Sequence, residues 1–329
     1  MASSLPAPLI PELDVLKGPR SWIVASHLSP DGDTLGSAIA MAHLLRAFGG
    51  TVLHVCPDPV PERYAFLPGA DAVVTQLPAD LSNWGLVTCD AAELSRFGDW
   101  ASTFAAMPLR VNVDHHVSNP GFGSLNIVLT DAAATGEVVY RLYEHFGVSP
   151  DLAAAQAMYA AIVTDTGGFA YEATTAETHR IAGILIGLGV SPAWMTQQLF
   201  EQVPLSELRI KSQALSQMQR SADGRIVWTV VTQEMMDATG ADESQLDGLA
   251  EQLRSLQGVD VAFYLRETAR GLKLSLRGKY ADVNRIASRF GGGGHRRAAG
   301  ATVPGPLSTA PERVLEAVQA ELHASETLA

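Results

Sequence analysis

The sequence of 329 residues predicts an α/β protein with an N-terminal parallel-sheet domain, a helical linker and a smaller α+β domain. In the first half, short apolar runs typical of buried strands alternate with helical patterns, which indicates βαβ units. A polar helical stretch, broken by Pro204, then ends this alternation. Strands and helices follow in an order without the βαβ repeat. We therefore predict domains over residues 1–190 and 223–329, joined by a linker over 191–222.

Polar residues end three of the four strands predicted in the first domain. These strands are the apolar runs at 21–27, 51–56, 83–90 and 109–116. Helices are predicted from the apolar positions Leu35, Ile39, Ala42 and Leu45, and over 132–146, 152–163 and 178–188. In parallel sheets the ligand crevice lies beyond the carboxyl ends of the strands. The polar residues that end these strands are therefore predicted to converge.

The second domain is predicted to be a mixed α+β unit. The predicted elements are a strand at 225–232, a helix at 243–256, strands at 259–268 and 271–278 around a turn at 269–271, a helix, glycine loop and strand over 281–301, and a helix at 310–326. The glycine loop, residues 291–294, is the part of this domain that most needs a functional explanation.

Composition excludes several classes of protein. The chain has 23 basic and 35 acidic residues, a net charge of −12, which argues against a protein that coats long duplex DNA. We expect no signal peptide, and the longest apolar stretch, 181–190, is too short to span a membrane. Cys56 and Cys89 form no CxxC pair. The sequence therefore predicts a cytoplasmic protein with reduced cysteines and no membrane contact.

Four ionisable clusters are predicted to lie in the crevice beyond the strand ends. They are His27 with Asp31 and Asp33, then Asp90, then Asp114 with His115 and His116, and finally Asp165. Each has an ordinary alternative: Asp33 as a helix cap, Asp90 and Asp165 as turn residues. Together, however, five carboxylates and three imidazoles would repel and desolvate one another unless a strong positive charge joined them. A divalent metal supplies that charge.

The pattern favours two transition-metal ions. An EF-hand is excluded, because its fifth position is Leu35 and its last is Ala42. The chain has no HExxH motif of zinc proteases. Mixed imidazole and carboxylate ligands suit first-row transition ions, and these ligands are too many for one ion. Two ions about 3.5–4 Å apart are suited to an in-line phosphoryl displacement.

These motifs, in their order, resemble those of the DHH phosphoesterase superfamily over roughly residues 20–190. The motifs are SHLSPDGD, the strand-end Asp90, VDHHVSN and TDTGGF. The resemblance implies one ion held by His27, Asp31 and Asp90, and a second held by Asp33, Asp90, His115 and Asp165. It further implies that His116 faces the substrate phosphate or leaving oxygen and that Asp114 orients its neighbours. Manganese is the metal usual in the family, with magnesium and cobalt as alternatives.

Positive charge is concentrated around the glycine loop. Residues 265–300 contain nine lysines and arginines against two acids, a local excess of seven positive charges. A solvated basic face is the ordinary explanation, and we favour it for Arg285 and Arg289. The glycines fit neither a P-loop nor a GxGxxG fingerprint. Backbone amides beside His295 and nearby arginines instead indicate a phosphate nest.

The strand SLRG and the GGGGH loop resemble the DHH-associated C-terminal domain. The pairing of the two domains resembles NrnA-type oligoribonucleases, which also act as phosphatases on 3′-phosphoadenosine 5′-phosphate. The resemblance implies that a substrate phosphate or nucleotide is bound by Arg277, Gly293, Gly294, His295 and Arg296. Arg296 and Arg297 are basic where many relatives carry less basic residues.

We therefore expect a two-metal phosphodiesterase that cuts very short oligonucleotides, such as pApA or pGpG, to mononucleotides, and converts 3′-phosphoadenosine 5′-phosphate to AMP. Hydrolysis of a cyclic dinucleotide, RecJ-like digestion of single-stranded DNA and a catalytically idle nucleotide sensor are the alternatives. Expected partners are short RNA or DNA oligonucleotides and nucleotide phosphates. The sequence does not determine the oligomeric state, for which a homodimer is one alternative.

Overall fold

The computed structural model describes residues 12–18, 20–268 and 271–327 and divides into two compact units, Met1–Gln202 and Val203–Ala329. An α/β unit followed by a separate α+β unit confirms the predicted fold class. The predicted linker stays a prediction: its residues form one helix in each unit, α6 (Pro192–Phe200) and α7 (Leu205–Ser216). Of the turn predicted at 269–271, residues 269–270 lie outside the described residues.

The first unit is built on a parallel sheet of five strands in the order β2-β1-β3-β4-β5. The strands are β1 (Ser21–Ala25), β2 (Thr51–Val55), β3 (Trp84–Cys89), β4 (Arg110–Asp114) and β5 (Leu125–Val128). Ala25 pairs with both Val55 and Thr88, and Cys89 pairs with Val113, so the carboxyl ends of these strands are level. The short strand β5 was not predicted.

The helices of the first unit pack closely enough to bring two helix ends together. They are α1 (Gly32–Ala47), α2 (Ala101–Ala106), α3 (Thr135–Phe146), α4 (Leu152–Asp165), α5 (Ala176–Gly187) and α6. A Cβ on Gly36 of α1 would lie 2.3 Å from the carbonyl oxygen of Ala157 in α4. A Cβ on Gly32 would lie 2.4 Å from Oγ1 of Thr164. Glycine at both positions therefore lets the beginning of α1 contact the end of α4.

The second unit has a mixed sheet in the order β10-β11-β9-β8-β7-β6. Its strands are β6 (Gln219–Arg220), β7 (Ile226–Val231), β8 (Val261–Thr268), β9 (Gly271–Gly278), β10 (Gly293–Gly294) and β11 (Ala298–Val303). Its helices are α7, α8 (Gln233–Thr239), α9 (Leu249–Arg254), α10 (Val283–Ser288) and α11 (Ala310–Thr327). Among the described helices of both units, none combines the length and apolar character needed to cross a membrane.

The single helix predicted at 243–256 is wrong. A short 3-10 turn, Glu243–Leu246, is separated from α9 by Asp247 and Gly248. Gly248 has a φ of +80°, a left-handed conformation that interrupts a helix and that glycine adopts readily. The apolar spacing of this segment continues across the interruption, which explains why it resembled one helix.

His54 on β2 makes the first unit sensitive to acid. Its buried ring lies 2.9 Å from the Ser26 hydroxyl, and burial together with Arg46 lowers its pKa from 6.5 to about 3. Between these values the unfolded chain binds a proton that the folded chain does not. The stability that the neutral, buried His54 contributes is therefore complete above the unfolded pKa of 6.5. It is lost as the pH falls toward 3. At about pH 5 the expected loss is roughly 2 kcal/mol in the free energy of unfolding.

Urea unfolding of the wild type and of His54→Gln checks this expectation. Both proteins are unfolded in the presence of chelator, at neutral pH and at about pH 5. Glutamine retains a hydrogen-bonding group for Ser26 but does not titrate. The variant should therefore lose less stability on acidification than the wild type does. Equal losses in the two proteins would assign the acid sensitivity to other groups.

Candidate metal centre

The SHLSPDGD stretch places one aspartate as a helix cap and the other inside the helix. Asp31 is the N-cap of α1, and its Oδ1 accepts the amides of Asp33 and Thr34 at 3.1 and 3.0 Å. The alternative of Asp33 as the cap is therefore wrong. The Asp33 carboxylate instead accepts the amides of Thr135 and Gly136, at 2.7 and 3.0 Å, at the N-terminus of α3. The partial positive charge of that helix end holds the carboxylate in place.

Asp90 occupies a strained position directly after β3. Its φ is +60°, in the left-handed region that costs a non-glycine residue about 1–2 kcal/mol. Its amide donates to the Val113 carbonyl at 3.0 Å, and its Oδ1 accepts the Thr135 hydroxyl at 3.0 Å. Such strain persists where the surroundings fix the residue, and it is frequent at functional sites. Here it holds the carboxylate at the edge of the sheet.

His27 and His115 both direct an unprotonated Nε2 toward carboxylates. The Nδ1 of His27 donates to the Leu28 carbonyl at 2.7 Å, and that of His115 to the Ala132 carbonyl at 3.2 Å. These bonds fix the tautomer with the Nε2 lone pair unprotonated, as in metal-binding histidines. Nε2 of His27 lies 3.6 Å from Asp90, and Nε2 of His115 lies 3.4–3.8 Å from three carboxylates. Lone pairs facing carboxylate oxygens fit a bound cation.

The six predicted ligands, together with His116, form overlapping groups, and the possible ligand atoms within each group lie within 4.8 Å of one another. The groups are His27, Asp31 and Asp90; Asp33, His115 and Asp165; and Asp90, His115 and His116. Asp90 and His115 each belong to two groups. The donor set therefore suits two neighbouring divalent ions. Which residue binds which ion stays a prediction.

The electrostatics of the centre also fit bound cations. Burial, and then the neighbouring carboxylates, raise the pKa values of Asp33 and Asp90 well above the usual range. Burial likewise raises the pKa of Asp165, and burial lowers that of His27. Bringing these carboxylates together is therefore costly without metal. Divalent ions would offset this repulsion.

Asp114 and His116 form a hydrogen-bonded pair at the edge of the centre. Asp114 is buried and accepts Nδ1–H of His116 at 2.8 Å and the side-chain amide of Asn119 at 2.5 Å. Burial would raise the pKa of Asp114, but these hydrogen bonds outweigh it and lower the pKa. The bond to Asp114 raises the pKa of His116 to about 9. The His116 side chain is 34% exposed, so it is oriented from one side and accessible from the other.

Arg96 is a residue of the centre that the sequence did not indicate. Its guanidinium lies 3.0 Å from Nε2 of His27, and its carbonyl accepts the amide of Leu28 at 2.8 Å. It lies in the 3-10 helix Leu94–Trp100, where no motif distinguishes it from a surface arginine. Thr135 was missed as well, because its contacts to Asp33 and Asp90 join segments distant in sequence.

Replacing Arg96 by alanine is expected to strengthen metal binding. The arginine donates to the His27 lone pair that a metal ion would need, and it adds a positive charge nearby. We expect the metal concentration at half-maximal thermal stabilisation to fall about tenfold, since one charge contact is worth on the order of 1 kcal/mol. Arg63→Ala, which changes the net charge equally, serves as the control. Weaker binding in Arg96→Ala would contradict this expectation.

In the second unit, the predicted substrate-binding residues lie on strands β9 and β10 and in the turn between β10 and β11. Arg277 of β9 pairs with Ala298 of β11, and the His295 amide donates to the Ala298 carbonyl at 2.7 Å. His295 and Arg296 are exposed. The Arg277 guanidinium contacts Glu251 of α9 and the Leu276 carbonyl. Their role in binding substrate stays a prediction.

The glycine loop is partly strand. Gly293 and Gly294 form β10 and pair with Gly300 and Ala299. A Cβ on Gly292 would lie 2.1 Å from the Gly300 carbonyl oxygen. The close approach that these glycines predicted is therefore made, at least at these positions, by strand β11 of the same unit.

Acids from outside the basic segment pair with much of its positive charge. Glu243 pairs with Arg266 and Lys273, Glu251 with Arg277, and Glu321 with Arg285 and Arg289. The local excess of charge counted along the sequence is thus reduced in the fold. Exposed Arg296 lies beside the glycine loop and is not among these pairs.

A parallel-sheet unit with overlapping carboxylate–imidazole clusters at its carboxyl edge, followed by a separate α+β unit, fits the class of two-domain metal phosphoesterases. The model described as "DHH family, N-terminal domain" matches residues 21–162, and that of the "DHHA1 domain" matches residues 225–324. The chain belongs to the DHH family of phosphoesterases, which confirms the resemblance of the motifs.

Two relatives match this chain over most of its length. The bifunctional oligoribonuclease and PAP phosphatase NrnA of Thermus thermophilus is 36% identical, over 94% of this chain and 93% of that protein. The Bacillus subtilis protein of the same name is 27% identical, over 85% and 88%. An exopolyphosphatase-related protein from Bacteroides fragilis shares the fold, with a TM-score of 0.89, 24% identity and coverage of 100% and 99% of the two chains.

Proposed function

We propose that this protein is a two-metal phosphodiesterase that hydrolyses very short oligonucleotides to mononucleotides and 3′-phosphoadenosine 5′-phosphate to AMP. The observation that carries the proposal is the overlap of the ligand groups at Asp90 and His115, which suits two adjacent ions. The printed names of the Thermus thermophilus and Bacillus subtilis relatives support the substrate class.

The metal ions, for which we propose manganese, would supply Lewis-acid stabilisation of the phosphate oxygens and activation of water when bound. His27, Asp31, Asp33, Asp90, His115 and Asp165 would hold them. The protein's own groups orient this set, because the Thr135 amide and hydroxyl fix Asp33 and Asp90.

His116 is proposed as the proton donor to the leaving group. Its Nδ1 is held by Asp114, which leaves Nε2 as the atom that can face substrate. Water adds to phosphorus, the bond from phosphorus to the 3′ oxygen breaks, and His116 gives its Nε2 proton to that oxygen. The proton released by the attacking water restores the imidazolium, so the cycle balances.

The second unit is proposed to bind the terminal phosphate or nucleotide. Arg277, Gly293, Gly294, His295 and Arg296 are the residues proposed to do so. Their support is the pairing of β9, β10 and β11, which brings these segments together. Arg277 would exchange its contact with Glu251 for one with phosphate.

Time courses on pApA, a long single-stranded RNA, 3′-phosphoadenosine 5′-phosphate and cyclic di-AMP, each with manganese and with chelator, test the proposal. We expect metal-dependent hydrolysis of pApA and 3′-phosphoadenosine 5′-phosphate, with slow reaction of the other two substrates. Equal rates on pApA and long RNA would contradict the preference for short substrates. Preferential hydrolysis of cyclic di-AMP would support a cyclic dinucleotide phosphodiesterase instead.

We also propose a homodimer in the cytoplasm. Leu205 and Leu208, one turn apart on α7, are 60% and 57% exposed, which supports an apolar contact between chains. Both cysteines are free and buried, in keeping with a reducing compartment. Light scattering measures the mass in solution, and a monomeric wild type would overturn the dimer.

A further inference from the structure

The loop after α4 carries an exposed tyrosine close in sequence and structure to a predicted metal ligand. Tyr171 is 51% exposed. Its amide donates at 3.0 Å to the carbonyl of Thr166, the residue after Asp165. Neither the metal centre nor the proton transfer described above uses this ring. An aromatic side chain left half in solvent on the loop that follows Asp165 is a candidate contact for the organic part of the substrate.

The backbone of this loop is held in an unusual conformation. Gly167, Gly168 and Phe169 have φ values of +57°, +69° and +68°, three left-handed residues in succession. The Phe169 amide donates to Oγ1 of Thr166 at 3.0 Å, and its ring stacks on His179 with a centroid separation of 5.0 Å. A left-handed phenylalanine costs about 1–2 kcal/mol, so the surrounding contacts must stabilise the turn. The segment that leads to Tyr171 is therefore firmly positioned.

The ring of Tyr171 rests on main chain that lacks a side chain. A Cβ on Gly167 would lie 2.4 Å from Cζ of Tyr171, so only glycine permits this contact. The ring is thus supported by a fixed turn while half of its surface stays in solvent. A phosphate alone gains nothing from such a surface. A nucleobase, whose flat π-face stacks on aromatic rings with little regard to sequence, gains about 1–3 kcal/mol.

We propose that Tyr171 is a stacking platform for the nucleobase of the nucleotide whose phosphate lies beside Asp165. This inference rests on the proposed function and specifies how its substrate is recognised: the ring selects nucleotides over other phosphate esters. Because every base has a π-face, the contact favours nucleotides as a class rather than one base.

Calorimetric binding of AMP and ribose 5-phosphate in the presence of manganese tests the stacking platform, because these ligands differ by the base. The wild type should bind AMP about 5- to 150-fold more tightly than ribose 5-phosphate. Tyr171→Phe should retain this preference, whereas Tyr171→Leu and Tyr171→Ala should bring it close to one without weakening ribose 5-phosphate binding. Phe200→Ala, which removes a 43% exposed ring on α6, should leave the preference unchanged.

Three results would overturn the proposal. They are a wild type without preference for AMP, a preference retained in Tyr171→Leu, and an equal weakening of both ligands in Tyr171→Ala, which a purely structural role predicts. Binding does not require turnover, so a Tyr171-dependent preference without pApA hydrolysis would refute the proposed function alone. Hydrolysis of pApA with an unchanged preference in Tyr171→Ala would refute the stacking platform alone.

Discussion

Replacing Asp90 by asparagine is expected to abolish hydrolysis and, at the same time, to make the metal-free protein more stable. Asparagine tolerates the left-handed φ of +60° and still accepts the Thr135 hydroxyl, so the local geometry is kept. The change removes the carboxylate that belongs to two ligand groups. We expect kcat to fall by at least about 10²–10³-fold. We also expect a stabilisation on the order of 1 kcal/mol without metal, about 2–4 °C in melting temperature.

The opposite signs of these two effects separate a metal ligand from a structural aspartate. Melting temperatures of the wild type, Asp90→Asn and the control Asp99→Asn measure both effects, with chelator and across a manganese titration. Asp99 is an exposed residue of the 3-10 helix Leu94–Trp100. Manganese should stabilise the wild type and the control, by about 2.7 kcal/mol at a hundred times the dissociation constant, and should have little effect on Asp90→Asn. An undiminished manganese response in Asp90→Asn would refute its assignment as the shared ligand.

Replacing Asp114 by asparagine is expected to lower kcat by about 10²–10⁴-fold while the response to manganese persists. Asp114 accepts Nδ1–H of His116, and an amide in its place favours the wrong tautomer and loses the charge that stabilises the imidazolium. The predicted metal ligands are unchanged, so KM and metal-dependent stabilisation should change little.

The chain offers a matched control for this variant. His43 and Asp151 form a second histidine–aspartate pair, 2.9 Å apart, in the same unit but outside the ligand groups. Asp151→Asn should leave kcat near the wild-type value, because asparagine also caps the helix that Asp151 begins. A loss of the manganese response in Asp114→Asn would show that Asp114 supports the metals rather than His116.

The residues of the candidate centre were predictable where strand order determines position. The strands before His27, Asp90 and His115 are neighbours in one parallel sheet, so their carboxyl ends had to meet. The alternation of short apolar runs with helical patterns along the sequence was enough to infer that sheet. The four-residue strand β5 escaped because its pattern is too short to be distinguished from a loop.

What could not be predicted depends on contacts between distant segments. Either Asp31 or Asp33 satisfied the preference for a helix cap, and the choice was settled by the amides of Thr135 and Gly136. Arg96 contacts His27 across 69 residues of sequence. Local spacing carries no information about such partners, which are selected only when the helices pack on the sheet.

The glycines of α1 have a consequence for how the centre could be altered. Gly32 and Gly36 set the separation of α1 and α4, whose facing ends carry Asp33 and Asp165. The spacing of the two carboxylates is therefore governed by the close approach of the two helices, at positions that bind nothing. A methyl group at residue 36 would force the helices apart and move two predicted ligands with every donor atom intact. Metal selectivity in this fold could thus be adjusted through interhelical distance, with all the residues that touch the ions left unchanged.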